Sequence, residues 1–230
     1  MVITIFFSNN IKPYKLYVNI STMFIENIQS SLDDVHQELN STEERREKLI
    51  RGTRSIVILC GKSIIALHRN EIEEGEKRIE EARVLLNEAR PYAKTDLERY
   101  IADAEMEFVE ACMLKSICKG SPLPLREELH VSGPSYITGI LDTIGEIKRL
   151  VYDRMRIANS EDVVKFFDLM QELHNAIYPL AVYDNLVPGL RRKLDVSKML
   201  TESVRAAVTE NSRRELMLNA LRILETKIKD

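Results

Sequence analysis

Apolar residues recur at intervals of three and four over most of the chain, which is the spacing of one face of an α-helix. From Phe24 to Leu39, and again from Leu49 to Leu67, the apolar positions keep one register, and they predict a single long helix. No segment after residue 22 alternates apolar and polar residues as a β-strand does. The pattern therefore predicts an all-α fold.

Capping residues, prolines and glycines predict where the next helices begin and end. Asn70 precedes an acid-rich helix that ends at Pro91, and Thr95 with Glu98 forms a capping box that opens the following helix. We expect Gly120 to end that helix, because glycine adopts the left-handed closing conformation at little steric cost. Residues 121–133 then form a proline-rich connector.

The second half of the chain carries signals of the same kind. Pro134 suits a first helical turn, and Ser160 opens a further helix that runs toward Pro179. The segment after Pro188 is predicted to form two helices broken near Asn211. We therefore expect a bundle of about seven helices, with long helices packed antiparallel.

Composition narrows the class of protein. Eight Gly and seven Pro in 230 residues supply too few turn residues for a β-sandwich or barrel. No stretch of about eighteen apolar residues occurs, so we expect no membrane span. Cys60, Cys112 and Cys118 form neither a CxxC motif nor an even disulfide set, which predicts reduced thiols in a cytoplasmic protein.

Residues 1–22 differ from the rest of the chain because they contain Lys12 and Lys15 but no acidic residue. We therefore expect a single helical domain over residues 23–230 after an N-terminal extension, with Met23 as an alternative start. The whole chain has 33 Lys and Arg against 36 Asp and Glu, for a net charge of −3. Nucleic acid would have to bind a local basic surface, since no global positive field exists.

Two pairs of acidic residues lie on largely apolar helix faces. Glu107 and Glu110, within residues 104–114, have no basic residue three or four positions away. Asp142 and Glu146 share a face within residues 138–150, and Arg149 lies beside Glu146. These two pairs depart from the acid-before-base spacing that solvent-exposed helices in this chain follow.

Two glycines, Gly139 and Gly145, flank the second acidic pair. Glycine inside a helix costs about 1 kcal/mol relative to alanine, so its presence indicates close approach of another backbone or a ligand. Two helices that each carry two carboxylates would repel when packed face to face, unless the acids are protonated or a cation neutralises them. Oxygen ligands suit Mg²⁺ or Mn²⁺, and such a site fits metal-assisted phosphodiester hydrolysis.

Spacing alone leaves a second interpretation open. Both pairs of acids can equally be ordinary surface residues, or can pair with Arg and Lys from other helices, because acids three or four apart are common on helices.

Three segments resemble the translin family, and specifically its Trax branch (translin-associated factor X). They are EFVEA at 107–111, SYITGILDTIGEIKRL at 135–150 and RRKLDVSKMLTESV at 191–204. The resemblance in helix order and motif spacing covers roughly residues 24–210. It implies a seven-helix bundle whose subunits assemble into a hollow shell of eight, with RNA or single-stranded DNA bound inside.

The resemblance also implies an activity and its residues. Trax supplies Mg²⁺-dependent endoribonuclease activity, and its catalytic acids lie in motifs of the form E-Y-V-E and D-L-T-G-E. These motifs match Glu107, Glu110, Asp142 and Glu146. Translin lacks the full set, so the resemblance favours an active, homo-oligomeric subunit with Mg²⁺ or Mn²⁺ held by these four acids.

A basic run at residues 43–54 is the candidate RNA-binding surface. The run contains three acidic and five basic residues, and the basic ones are Arg45, Arg46, Lys48, Arg51 and Arg54. The stretch at 46–51 resembles a basic run in the first long helix of translin. It would contact phosphates without sequence preference, although pairs such as Glu44 with Lys48 allow an ordinary solvated face instead.

Three functions remain open at this point. The first is a metal-dependent endoribonuclease that acts on single-stranded or partly structured RNA, and the second is a translin-like protein that binds RNA or single-stranded DNA without cutting it. The third is a helical adaptor that binds no nucleic acid. The four acids favour the first function over the second, and the basic run favours either of them over the third.

Overall fold

The chain folds into α-helices joined by short connections. The computed structural model describes residues 13–94, 96–157 and 160–229, and none of these residues lies in a β-strand. The described residues form seven α-helices: α1 Pro13–His68, α2 Ile72–Ala93, α3 Ala102–Lys119, α4 Arg126–Leu129, α5 Gly133–Arg156, α6 Ser160–Ile177 and α7 Leu190–Lys229. Two 3₁₀ turns, Glu98–Tyr100 and Tyr178–Tyr183, precede α3 and α7. The predicted all-α fold is confirmed.

The chain divides into two structural units, residues 1–47 and residues 48–230. In the first unit the described residues, 13–47, all belong to α1, and their apolar side chains from Ile25 to Leu39 are exposed. Residues 1–12 of the predicted extension lie outside the described residues. Residues 13–22 are helical, so the predicted domain start at residue 23 falls inside α1.

The core of the second unit is built around α5. This helix packs against α3, α6 and α7, and α2 packs against the other side of the bundle on α3. Ile144, Ile147 and Val151 of α5 are fully buried, because apolar residues three and four apart lie on one helix face. Phe108 of α3 and Met170 of α6 are buried with them.

The predicted helix ends at Gly120 and Pro134 are confirmed. Gly120 has a φ of 64° and its N–H donates to the carbonyl of Ile117, which closes α3 in the left-handed conformation. Ser132 caps α5, because its hydroxyl oxygen accepts a hydrogen bond from the Ser135 N–H, and Pro134 lies in the first turn. These local signals place α3 and α5, the two helices that carry the acids.

Three predicted boundaries are wrong. The helix expected to end at Pro91 continues to Ala93, which is buried and whose carbonyl accepts from the Leu97 N–H, and these contacts offset the one hydrogen bond that proline removes. The break near Asn211 does not occur, since the Asn211 side chain donates to Glu215 one turn later within a continuous α7. Thr95 lies outside the described residues, but the helix that its capping box was predicted to open begins only at Ala102, because Glu98–Tyr100 form a 3₁₀ turn before it.

The proline-rich connector at 121–133 contains one unpredicted helical turn, α4. The predicted and observed counts are both seven, because α4 was not predicted and the two helices predicted after Pro188 form the single helix α7. Among the described residues, no helix is long and apolar enough to span a membrane.

Candidate active site

The packing of α3 against α5 brings the four sequence-predicted acids together. Glu107 and Glu110 lie on α3, and Asp142 and Glu146 lie on α5. The pKa of Glu110 is raised to about 8, first by burial and then by the charges of Glu107, Asp142 and Glu146, which Lys193 partly offsets. We call these four side chains the acid cluster, because each of the other three acts electrostatically on Glu110.

Gly139 explains how closely the two helices approach. A Cβ atom added at this position would lie 2.6 Å from Val109 Cβ and 2.7 Å from the Met106 carbonyl oxygen, both on α3. Any side chain at Gly139 would therefore push α5 away from the helix that carries Glu107 and Glu110. At Gly145 the nearest atom, on Leu200, would be 3.9 Å away, so the predicted close approach of another backbone occurs at Gly139 and not at Gly145.

Glu107 experiences the same environment as Glu110 in weaker form. Burial raises the pKa of this half-buried acid, and so does the charge of Asp142, while Lys193 lowers it. Burial first, and then the neighbouring carboxylates, disfavour the ionised forms of these two acids. A bound cation would favour the ionised forms.

Asp142 is paired with a lysine from α7. Lys193 Nζ donates to Asp142 Oδ1 at 2.5 Å and to Oδ2 at 2.6 Å, and both side chains are about a quarter exposed. The interpretation that acids pair with basic residues of other helices is thus correct for Asp142. The charge of Lys193 also acts on Glu107 and Glu110, because it lowers the pKa of both acids.

Glu146 is paired with a histidine at the end of α1. His68 Nε2 lies 2.5 Å from Glu146 Oε2, and the histidine side chain is 2% exposed. Arg149, the base that the sequence places beside Glu146, lies 4.0 Å away and is half exposed. His68 is the last residue of α1.

The donor chemistry of the acid cluster fits Mg²⁺ or Mn²⁺. All four side chains offer oxygen atoms, and the pKa values of Glu107 and Glu110 are raised by burial and then by neighbouring carboxylates. Within the described ranges, no three His, Cys, Asp or Glu side chains are arranged to ligate an ion together, since Asp142 and Glu146 face Lys193 and His68. The residue types thus suit the metal, whereas two of the four acids have protein partners.

An open cleft of about 1100 Å³ includes Lys193, the partner of Asp142, in its wall, and its wall contains both acidic residues (Glu98, Asp103 and Glu105) and basic ones. Arg90, Lys94 and Arg99 line it from the end of α2 and the following turn, and Lys193 lines it from α7. Thr138, one helical turn before Asp142, is also in the wall. The cleft is wide enough for a nucleotide or a short strand, and its cations could contact phosphates.

The predicted basic run is distributed over both structural units. In the first unit, Arg45 donates to Thr42, and Arg46 pairs with Glu43 at 2.5 Å. In the second unit, Lys48 lies over the ring of Tyr92, 5.0 Å from its centre. Arg51 and Arg54 are exposed to solvent.

Sequence reasoning missed His68, Lys193 and the cations of the cleft. Lys193 occurs in a run of three basic residues at 191–193, and nothing in that run distinguishes it from its neighbours. His68 is a lone histidine after an apolar stretch, which is more often a packing residue than a functional one. Only the three-dimensional structure brings either residue to the acid cluster.

The chain is similar in sequence to one uncharacterized archaeal protein. That protein, from Methanocaldococcus jannaschii, is 27% identical over 196 residues, which cover 81% of this chain and 87% of the relative. No family model matches the sequence.

Solved structures of C3PO share the fold. AfC3PO in complex with duplex RNA is 24% identical with a TM-score of 0.76, and covers 81% of this chain and 98% of its own. The crystal structure of AfC3PO is 25% identical with the same TM-score, over 81% and 99% of the two chains. The crystal structure of apo-NeC3PO is 23% identical with a TM-score of 0.71, and the match covers 78% of this chain and 96% of that structure's chain. The chain therefore has the translin-type all-α fold of the C3PO structures.

Proposed function

We propose that the chain is an RNA-binding, divalent-metal-dependent endoribonuclease of the Trax type, which hydrolyses phosphodiester bonds in single-stranded or partly structured RNA. The observation that carries this proposal is the convergence of Glu107, Glu110, Asp142 and Glu146 at the contact between α3 and α5, with the pKa of Glu110 raised to about 8. A site of this kind costs stability and is commonly retained for chemistry.

The four acids would hold Mg²⁺ or Mn²⁺. When bound, the ion lowers the pKa of a water so that it can attack the phosphodiester, and it stabilises charge on the leaving oxygen. Lys193 keeps positive charge beside Asp142 and also lines the cleft, where Arg90, Lys94 and Arg99 would contact RNA phosphates. AfC3PO, which shares the fold, has been crystallised with duplex RNA, and this supports RNA as the ligand class.

The second candidate is a protein that binds RNA or single-stranded DNA without cutting it. The pairing of Asp142 with Lys193 and of Glu146 with His68 favours this candidate, because it supplies two of the four acids with protein partners.

We further propose that the chain works as a closed homo-oligomer, a shell of eight by resemblance. A single subunit has a net charge of −3, so basic surfaces from several chains must converge to hold a polyanion beside an acid cluster. Apolar side chains on α7 that remain exposed in the subunit, such as Leu216, Leu221 and Leu224, support this assembly.

Cleavage and binding assays on Glu110→Ala test the endoribonuclease. We expect the wild-type chain to cut single-stranded RNA with Mg²⁺ and not with EDTA, and Glu110→Ala to lose cleavage while it still binds RNA. Asp168→Ala, which removes an exposed carboxylate on α6, is the matched control and should cut normally. Wild-type binding without cleavage would support the second candidate, and the absence of both would reject the two together.

The salt dependence of binding tests the basic run in the same assay. Replacement of Arg51 by Gln should weaken binding to all RNA sequences alike and reduce the slope of log affinity against log salt by about 1. Lys165→Gln removes an exposed cation from α6 and should leave the slope unchanged. An identical slope for both variants would place RNA elsewhere on the chain.

A further inference from the structure

His68 is a buried imidazole whose polar contact is with the acid cluster. It is the last residue of α1, its side chain is 2% exposed, and it meets Glu146 across 78 residues of sequence. A polar ring removed from water costs free energy unless it is hydrogen-bonded. The contact with Glu146 provides that hydrogen bond.

The geometry assigns the atoms of this contact. Nε2 faces a carboxylate oxygen at 2.5 Å, so it carries the hydrogen and donates to Glu146 Oε2. Nδ1 is buried and has no hydrogen-bond partner in the described part of the chain. The orientation of the ring is therefore set by packing at the end of α1 and by this one hydrogen bond.

Other groups restrain Glu146 much less. Arg149 lies 4.0 Å from Glu146 Oε2 and its side chain is 53% exposed, so solvent screens this ion pair. The hydrogen bond from His68 is short and shielded from water, and it engages one oxygen of the carboxylate. Both contacts of the Glu146 carboxylate within the described part of the chain are made by Oε2.

We propose that His68 is a positioning residue for Glu146. His68 holds Oε2 of the carboxylate and thereby orients Oε1 toward a divalent cation in the acid cluster. This role rests on the proposed metal-dependent function and assigns to it a residue outside the four acids. Carboxylates that ligate metals are commonly fixed by a hydrogen bond from a neighbouring group, and loss of that group typically lowers metal affinity about 10- to 100-fold.

Mn²⁺ binding without RNA tests the proposal. The free Mn²⁺ concentration, read by electron paramagnetic resonance, gives the affinity of the wild-type chain, His68→Met and His68→Gln at one pH. We expect His68→Met, which fills a similar volume without a donor, to lower the affinity about tenfold or more. His68→Gln places an N–H donor near the position of Nε2 and should recover most of the wild-type affinity. Arg149→Met is the matched control and should bind Mn²⁺ normally.

Thermal unfolding in EDTA separates positioning from simple packing. A packing role alone predicts that His68→Met lowers the melting temperature but leaves the Mn²⁺ affinity of the folded chain unchanged, and this result would overturn the proposal. An equal loss of Mn²⁺ affinity in His68→Met and His68→Gln would also overturn it. If wild-type chain binds Mn²⁺ but cuts no RNA, the endoribonuclease fails and the positioning role stands. If wild-type chain binds no Mn²⁺, both fail.

Discussion

Glu110 illustrates how position changes the chemistry of an ordinary side chain. Only 9% of the residue is exposed, and three acids surround it, so the proton on Glu110 is held more tightly than in water. With a pKa of about 8, Glu110 is mostly protonated at neutral pH unless a cation favours its ionised form. Metal binding at this residue therefore releases a proton, and affinity should rise with pH.

The raised pKa of Glu110 predicts that the stability of the chain falls as the pH rises, and that Glu110→Gln makes this fall smaller. The folded chain binds this proton up to about pH 8, whereas the unfolded chain releases it near 4.5, so the stabilisation is complete below 4.5 and is lost as the pH rises through 8. Each pKa unit corresponds to about 1.4 kcal/mol, so the loss amounts to a few kcal/mol. Urea unfolding in EDTA at about pH 5 and about pH 9 measures it.

Glutamine resembles the protonated carboxyl and does not titrate, so the variant should lose less stability over this pH range than the wild-type chain. A smaller pH dependence should persist because the pKa of Glu107 is raised too. Asp168→Asn, at an exposed site, is the control and should follow the wild-type curve. Parallel curves for Glu110→Gln and the wild-type chain would contradict the electrostatic description of the acid cluster.

At the scale of elements, the contact between α3 and α5 determines whether the acid cluster can form. Gly139 allows this contact, since the Met106 carbonyl oxygen and Val109 occupy the space that a side chain would need. The backbone of α3 cannot move aside as the end of a flexible side chain could. A single glycine therefore links the packing of two helices to the geometry of four carboxylates.

Gly139→Ala should destabilise the chain by about 2 kcal/mol or more, because the added methyl group overlaps backbone and Cβ atoms of α3. The matched control is Gly61→Ala on α1, where a Cβ would meet no atom within 4 Å. That change should stabilise the helix by up to about 1 kcal/mol. Urea unfolding of both variants measures the difference, and equal stabilities would contradict the close approach at Gly139.

At the scale of the whole molecule, α7 carries more apolar surface than the subunit buries. Val204 of α7 is buried and Leu200 packs against the core. A second set of apolar residues on α7 is about half to three-quarters exposed: Met199, Leu216, Met217, Leu221, Ile223 and Leu224. The subunit core thus accounts for the first two residues, and contact between subunits would account for the exposed set.

Replacement of Leu221 and Leu224 by Lys should weaken assembly. These residues lie on one face of α7 and are 47% and 55% exposed, so charges there would be buried without partners in an interface between chains. Light scattering at micromolar concentration should show an oligomer for the wild-type chain and smaller species for the double variant. Thr226→Lys adds charge to the same helix without removal of an apolar side chain and should assemble normally. A wild-type monomer would refute the shell.

The sequence by itself determined the helices and the identity of the four acids. The signals at Gly120 and Pro134 act within one helical turn, and so does the spacing of Glu107 with Glu110 and of Asp142 with Glu146. The break predicted near Asn211 is wrong for a local reason too, because asparagine often ends helices but its side chain here donates to Glu215 one turn later.

Only the tertiary structure decided which groups neutralise or orient those acids. Lys193 reaches Asp142 across 51 residues, and His68 reaches Glu146 across 78. Such contacts depend on which helix faces pack together, and helical periodicity specifies that a face is apolar without specifying the helix that covers it. The raised pKa of Glu110 also depends on the tertiary structure, because it comes from burial and from charges on a second helix.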